Sequence, residues 1–297
     1  MESWNLTLTS AVLEPPPWHA LNIRDEFTAF VPVYERRPGS SNEGGAGFFH
    51  YFALWCAIKS ISPDTIIESG IHNGVGTWFL RQAAGDAKLI LISPDAPSIY
   101  KDQAKHTKYY TGVDFQDFNL LAWKDILPDK SRAFIFFDDH QAGIRRIQEA
   151  RTHGFRYIMF DDNYIPGRGD NLSPKKVCNL ALYDALGNAP FVYQDNFNKI
   201  QRPLARSELV THMETFEHSV HVYAEFPPVW SGPNRFDVPD AVWMDISMPP
   251  IIQDATEIGF SLSRQIFEAR RYTHISFIEL KPRGIYLTTS NITQNIT

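Results

Sequence analysis

Short apolar runs alternate with amphipathic stretches through the middle of this chain. Thr65-Ile66-Ile67-Glu68, Lys88 to Ser93, Ala133 to Phe137 and Tyr157 to Phe160 are too short for helices and nearly continuous in apolar character. Runs of this kind read as parallel strands buried on both faces. Thr107 to Thr111 is a more polar candidate for a further strand. Between the runs lie helical stretches: Phe48 to Ser60, Gly76 to Ala84, a polar helix-like segment ending near Lys105, Leu120 to Ile126, and Gln141 to His153. The last has Ile144, Ile147 and Ala150 on one face, which leaves Arg145, Arg146 and Glu149 for a solvated face. Strand and helix in alternation predict an α/β fold with a mostly parallel sheet covered on both sides.

The flanks break this rhythm. Residues 1–46 carry Pro15-Pro16-Pro17, Arg37-Pro38-Gly39-Ser40-Ser41 and Gly44-Gly45, and read as an extended arm. Residues 47–297 then form one domain. Residues 164–250 are rich in Pro, Asn and aromatics and read as an insertion, with a helical piece near Lys175 to Ala185. Its Tyr164, Tyr193, Phe197, Trp230 and Phe236 are candidates to line a substrate pocket. Near the end, His274 to Leu280 and Ile285 to Thr289 flank the link Lys281-Pro282-Arg283-Gly284. So short a link permits an antiparallel hairpin and no crossover.

Composition narrows the classes. The chain has 297 residues, 43% of them hydrophobic and 21% charged, with a net charge of −6 and no long basic run. This argues against nucleic acid as the main partner, since phosphate binding needs clustered Lys and Arg. Cys56 and Cys178 make neither a disulfide framework nor a zinc site. No apolar run is long enough for a membrane span, and Met-Glu-Ser-Trp lacks the features of a signal peptide. Glycosylation-type sequons start at Asn5, Asn171, Asn291 and Asn295. They leave the compartment open: the cytoplasm is favoured, or a secretory lumen for a chain whose targeting segment has been removed. The oligomeric state is open too, with a homo-oligomer allowed.

Candidate chemistry collects at the strand ends. Phe136-Phe137-Asp138-Asp139-His140 and Phe160-Asp161-Asp162-Asn163 each close an apolar run with carboxylates. In open α/β sheets ligands gather beyond the carboxyl ends of the strands. Carboxylates converging there repel one another unless a cation lies between them, and hard oxygen ligands suit Mg²⁺ or a similar divalent ion. After the first strand comes Glu68-Ser69-Gly70-Ile71-His72-Asn73-Gly74-Val75-Gly76-Thr77. Glycines there permit a tight turn and close approach of a ligand, and the next helix offers its free N–H groups. The turn is neither the dinucleotide fingerprint nor a P-loop. Asp95, after the second strand, is placed to accept ribose hydroxyls. Asp114 or Asp117, after the third, is placed to take an adenine amino group.

Together these motifs resemble a class I S-adenosylmethionine-dependent methyltransferase of the metal-dependent, catechol O-methyltransferase-like type. Glu68-x-Gly70-x-x-x-Gly74 matches that group's form of the donor-binding motif, with His72 in place of its middle glycine. The resemblance implies a doubly wound Rossmann-like sheet with a reversed last strand. It implies S-adenosylmethionine held by Glu68, Gly70, His72, Asn73, Gly74, Thr77, Asp95 and Asp117, and a divalent ion, Mg²⁺ first, held by Asp139, Asp162 and Asn163. The acidic runs are also similar to those of cephalosporin hydroxylase-like and macrocin O-methyltransferase-like proteins, many of which act on sugars. The implied activity is therefore metal-assisted O-methylation of a small-molecule or glycan hydroxyl, a sugar first. One departure stands out. The catechol-type enzymes carry a lysine base three residues after the first metal aspartate, and Ala142 is there. His140 then takes the place of the base, beside Asp139. The rival readings are a cofactor-binding domain without chemistry and a nucleotide-sugar-dependent transferase.

Overall fold

The computed structural model describes residues 15–39, 45–164, 169–177, 193–195, 200–202, 204–230, 250–252, 261 and 275–282. Five strands follow the order of the apolar runs: β1 (Thr65–Ser69), β2 (Lys88–Ser93), β3 (Thr107–Thr111), β4 (Ala133–Phe137) and β5 (Tyr157–Phe160). All five are parallel, with β2 and β4 on either side of β1. Two short strands, β6 (Tyr193–Asp195) and β7 (Ile200–Arg202), form a separate ribbon. The sheet continues from β5 through β9 (Ser276–Leu280) to β8 (Val220–Glu225), giving the order β3-β2-β1-β4-β5-β9-β8. Strand β9 runs antiparallel to both neighbours. This is the Rossmann-like sheet expected, mostly parallel with an antiparallel last pair.

The partner of β9 differs from the one expected. Val220–Glu225 pairs with it, whereas Ile285 to Thr289 lies outside the described residues. The segment 164–250 thus supplies the edge strand of the sheet. Val220 and Val222 are buried and the intervening residue is half-buried, which a period-two scan of 220–225 shows only weakly.

Helices cover both faces. On one lie α1 (Ile23–Glu35), α2 (Phe48–Ile61) and α3 (Val75–Ala84), packed with Ile66, Leu89, Leu91, Phe134, Phe136 and Met159. On the other, α5 (Gly143–His153) and α7 (Arg206–Ser219) pack with Ile67, Ile90, Ile135, Phe137, Ile158 and Ile278. Every residue of α2 from Phe48 to Ile58 is buried. Helix α1 lies where an extended arm was expected. Phe27, Phe30 and Tyr34 form its buried stripe, and Phe30 sits 5.2 Å from Phe48 and 5.4 Å from Phe52, ring centre to ring centre.

Two further stretches depart from helical expectation. Residues 94–106 form no helix; Arg81, Tyr100 and Thr107 gather instead around the Asp102 carboxylate. Leu120 to Ile126 resolves into a 3-10 turn at Phe118–Leu120 and a one-turn helix, α4 (Trp123–Ile126). Helix α6 (Pro174–Val177) is the described part of the piece expected near Lys175. Among the described residues no helix is long and apolar enough to cross a membrane.

Candidate functional site

Strand alternation decides where the acidic residues go. In β4, Phe134 and Phe136 face α2 and α3, while Ala133, Ile135 and Phe137 face α5. Continuing that period past the strand end sends Asp138 to the α2 side and Asp139 to the α5 side. Strand β5 does the same: Met159 faces α2, and Asp161 follows it there. The strand ends stay in register, because Asp138 N–H donates to Ser69 O and Asp161 N–H to Phe137 O. On β1, Ile66 faces the α2 side and Glu68 follows in phase with it.

One cluster therefore forms from Asp138, Asp161, Asp162 and His140. Single donor atoms of Asp138, His140 and Asp162 lie within 4.8 Å of one another. Asp138 shares a side-chain hydrogen bond with Asp161, and burial together with the charges of Asp161, Asp162 and Glu68 pushes it well above the usual carboxylate range. Burial and the Asp161 charge push Asp162 up to about 6. Burial works against the Asp161 charge too, but the His50 imidazole at 2.8 Å holds its carboxyl below the usual range. His140 has a left-handed backbone, φ 55°. Its Nδ1 lies 3.0 Å from Asp170 and 3.4 Å from Asp162, and the Asp170 hydrogen bond raises its pKa to about 9. In the ion-free chain the neighbouring Asp170 and Asp162 carboxylates thus favour the cationic form of His140. Crowded carboxyls beside a positively charged imidazole fit a divalent ion, which would relieve the repulsion and displace the bound protons.

Asp139 and Asn163 do not join this cluster. Asp139 Oδ2 lies 2.7 Å from Arg146 Nη2 and accepts from Ser69 Oγ at 2.6 Å. Asn163 is fully buried; its amide donates to Tyr223 Oη at 2.9 Å, and its carbonyl accepts from Lys175 N–H at 2.8 Å. Of the residues expected to hold an ion, Asp162 lies in this cluster, beside Asp138 and His140. Arg146 is buried rather than solvated, held by Asp117, Asp139 and Glu149. It also claims the Asp117 carboxylate, which takes two hydrogen bonds from it and is held below the usual range, although burial opposes this.

The glycine turn is built against the protein's own backbone. Gly70 has φ 95°, and a Cβ there would lie 2.1 Å from Asp138 O. Gly74 has φ 91°, and its Cβ would lie 2.0 Å from Tyr100 O. Close approach is thus what these glycines permit, but the approaching groups are the ends of β4 and the loop after β2. Asn73 Oδ1 accepts from Val75 N–H at the start of α3. Glu68 is buried beneath the turn, accepts from Thr77 Oγ1, and is pushed up to about 8 by burial. Glu68, Asn73 and Thr77 therefore shape the turn. His72, also left-handed at φ 50°, and Asp95 are exposed at the same edge of the sheet. Asp95 makes no hydrogen bond or ion pair among the described residues, as suits a carboxylate available to ribose hydroxyls.

Other residues escaped the sequence reading. His50 follows Phe48-Phe49 in an apolar helix and offers no local signal of its partner. Asp170 reaches His140 because Pro174 packs on Gly143, drawing the loop back to the start of α5. Lys176 is buried, donates to Asn171 O at 2.5 Å, and is lowered to about 8 by burial. Asn171 is buried as well and its amide donates to Asp162 O, so its sequon is not open to a glycan in this fold. Trp230 belongs to the core, 4.7 Å from Phe49, and Tyr164 is buried against Gly169. Phe197 and Phe236 lie outside the described residues.

No protein-family model matches the chain, and no curated protein matches its sequence. Solved structures do resemble it. The O-methyltransferase TomG from Streptomyces achromogenes, in complex with SAM, aligns over 91% of this chain and 92% of its own at 11% identity, TM-score 0.40. An O-methyltransferase from Bacillus cereus in complex with SAH aligns over 87% and 90% at 10% identity, TM-score 0.38. An SAH-bound methyltransferase of Podospora anserina aligns over 90% and 89% at 11% identity, TM-score 0.37. At this distance they describe a likeness of shape alone.

Proposed function

We propose that this chain transfers the methyl group of S-adenosylmethionine to a hydroxyl of a small molecule, with a divalent ion held by Asp138, His140 and Asp162. The carrying observation is the contact of Gly70 with the Asp138 carbonyl, so close that no Cβ fits between them. It joins the turn after β1, where the donor would bind, to the strand end that supplies the ion ligands. Asp95 would hold the donor's ribose, and the exposed backbone of His72 would line its approach. Asp139, Asp117 and Arg146 brace the strand ends from the opposite face.

A divalent ion held by the trio of Asp138, His140 and Asp162 would supply a lowered hydroxyl pKa and a fixed oxygen position. In the transfer the acceptor hydroxyl would lose its proton to water, and its oxygen would bond to the methyl carbon as the carbon–sulfur bond breaks, leaving S-adenosylhomocysteine. The imidazole in the donor set favours a first-row ion such as Mn²⁺ alongside Mg²⁺. A vicinal diol, most simply on a sugar, is the acceptor class proposed, since adjacent hydroxyls can share one ion.

The test is incubation with S-adenosylmethionine and a panel of sugars and catechols, with formation of S-adenosylhomocysteine followed by mass spectrometry. Product formation dependent on a diol and lost on chelation is expected. Absence of turnover together with absence of donor binding contradicts the proposal.

A further inference from the structure

We propose that His50 is a positioning residue for the ion site, fixing the Asp138 carboxyl through Asp161. This rests on the ion-site reading above. His50 stands in the first turn of α2, a helix that precedes the whole sheet. Its Nδ1 lies 2.8 Å from Asp161 Oδ1, and the two side chains are 4% and 5% exposed. Phe137 and Phe160 are register partners in β4 and β5, so Asp161 follows beside Asp138, one of the trio, and the two carboxyls interact.

A buried polar side chain on an otherwise apolar helix face is costly unless it is paired. The pair His50 makes leads directly to the ion ligands. Three elements meet in this chain of contacts: α2 carries His50, the end of β5 carries Asp161 and the end of β4 carries Asp138. The first helical turn of α2 is held by its apolar packing, so His50 is a fixed point against which Asp161 is oriented. Asp161 itself lies outside the trio, so its part is to fix the rotation of Asp138. Partners of this kind orient metal ligands, and their loss lowers metal affinity.

The experiment is titration of the full chain with Mn²⁺, reading free ion by electron paramagnetic resonance, alongside thermal melts. Asp138→Asn and Asp162→Asn should abolish tight binding. His50→Leu, which keeps the volume without a donor, should weaken binding roughly ten- to a hundredfold. His50→Asn, whose amide can stand in for the Nδ1–H group, should recover most of that loss, which a purely structural role would not require. Asp161→Asn gives the same reading if His50→Leu does not fold, with the same weakening expected. Wild-type affinity in His50→Leu or, failing its folding, in Asp161→Asn overturns the role of His50 while leaving the ion site intact. Wild-type affinity in Asp138→Asn and Asp162→Asn, or no Mn²⁺ binding by the wild type, overturns the ion site itself.

Discussion

Arg146 Nη2 stands 2.7 Å from Asp139 Oδ2, on the face of the sheet opposite Asp138. The neighbouring aspartates of one acidic run thus have different partners. Arg146 is 1% exposed and carries Asp117 and Glu149 as well. Removing one member of a buried ion group leaves charge uncompensated, at about 3–5 kcal/mol. Arg146→Met should lower unfolding free energy in urea by about that much. Asp139→Asn should destabilise the fold yet leave Mn²⁺ affinity near wild type, unlike Asp138→Asn. Equal loss of affinity in both would return Asp139 to the ion.

The Gly70 contact makes a second prediction. Alanine there meets both a left-handed φ and the Asp138 carbonyl. Strain of this kind costs about 1–3 kcal/mol before any displacement of the loop. Gly70→Ala should therefore melt lower and weaken ion binding, because Asp138 must move. Gly154→Ala is the control: φ is 86° and nothing stands within 4 Å of the added Cβ. It should cost about 1–2 kcal/mol and leave ion affinity unchanged.

His140 makes the ion-free fold sensitive to pH. Its folded pKa of about 9 is above the ordinary value near 6.5, so protonation favours the folded state. That contribution is complete below about pH 6.5 and disappears as pH rises through about 9. Urea unfolding in the presence of chelator should show wild type exceeding His140→Asn at about pH 6, with the gap closing by about pH 10. A gap that stays constant across this range would contradict the His140–Asp170 contact as the cause.

Helix α1 can be tested as part of the core. Phe27 and Phe30 are fully buried among the rings of Phe48 and Phe52. Truncating a buried ring costs about 3–5 kcal/mol. Phe30→Ala should lower the unfolding free energy by that amount, and a change within about 0.5 kcal/mol, usual for surface positions, would place the helix outside the cooperative unit.

The parallel strands were legible because their apolar runs are bounded by polar turns, and all of the first five keep the expected bounds within a residue. Asp138 was legible as well: carrying the alternation of Phe134 and Phe136 one step further puts it beside Glu68 and Asp161. The expectation for Asp139 came from a motif match, which does not use that phase. Helix α1 was hidden by the Pro and Gly clusters on both sides of it, although Phe27, Phe30 and Tyr34 keep helical spacing. Strand β8 was hidden by half-buried positions inside a segment dominated by aromatics and proline. The His50–Asp161 and His140–Asp170 pairs are set by tertiary packing, for which local sequence has no signal.

The most direct test is calorimetric titration of the full chain with S-adenosylmethionine in the presence of Mn²⁺, comparing wild type, Asp95→Ala and Asp162→Asn. One donor per chain is expected for wild type, with binding weakened in Asp95→Ala and retained in Asp162→Asn. Failure of the wild type to bind S-adenosylmethionine would contradict the account.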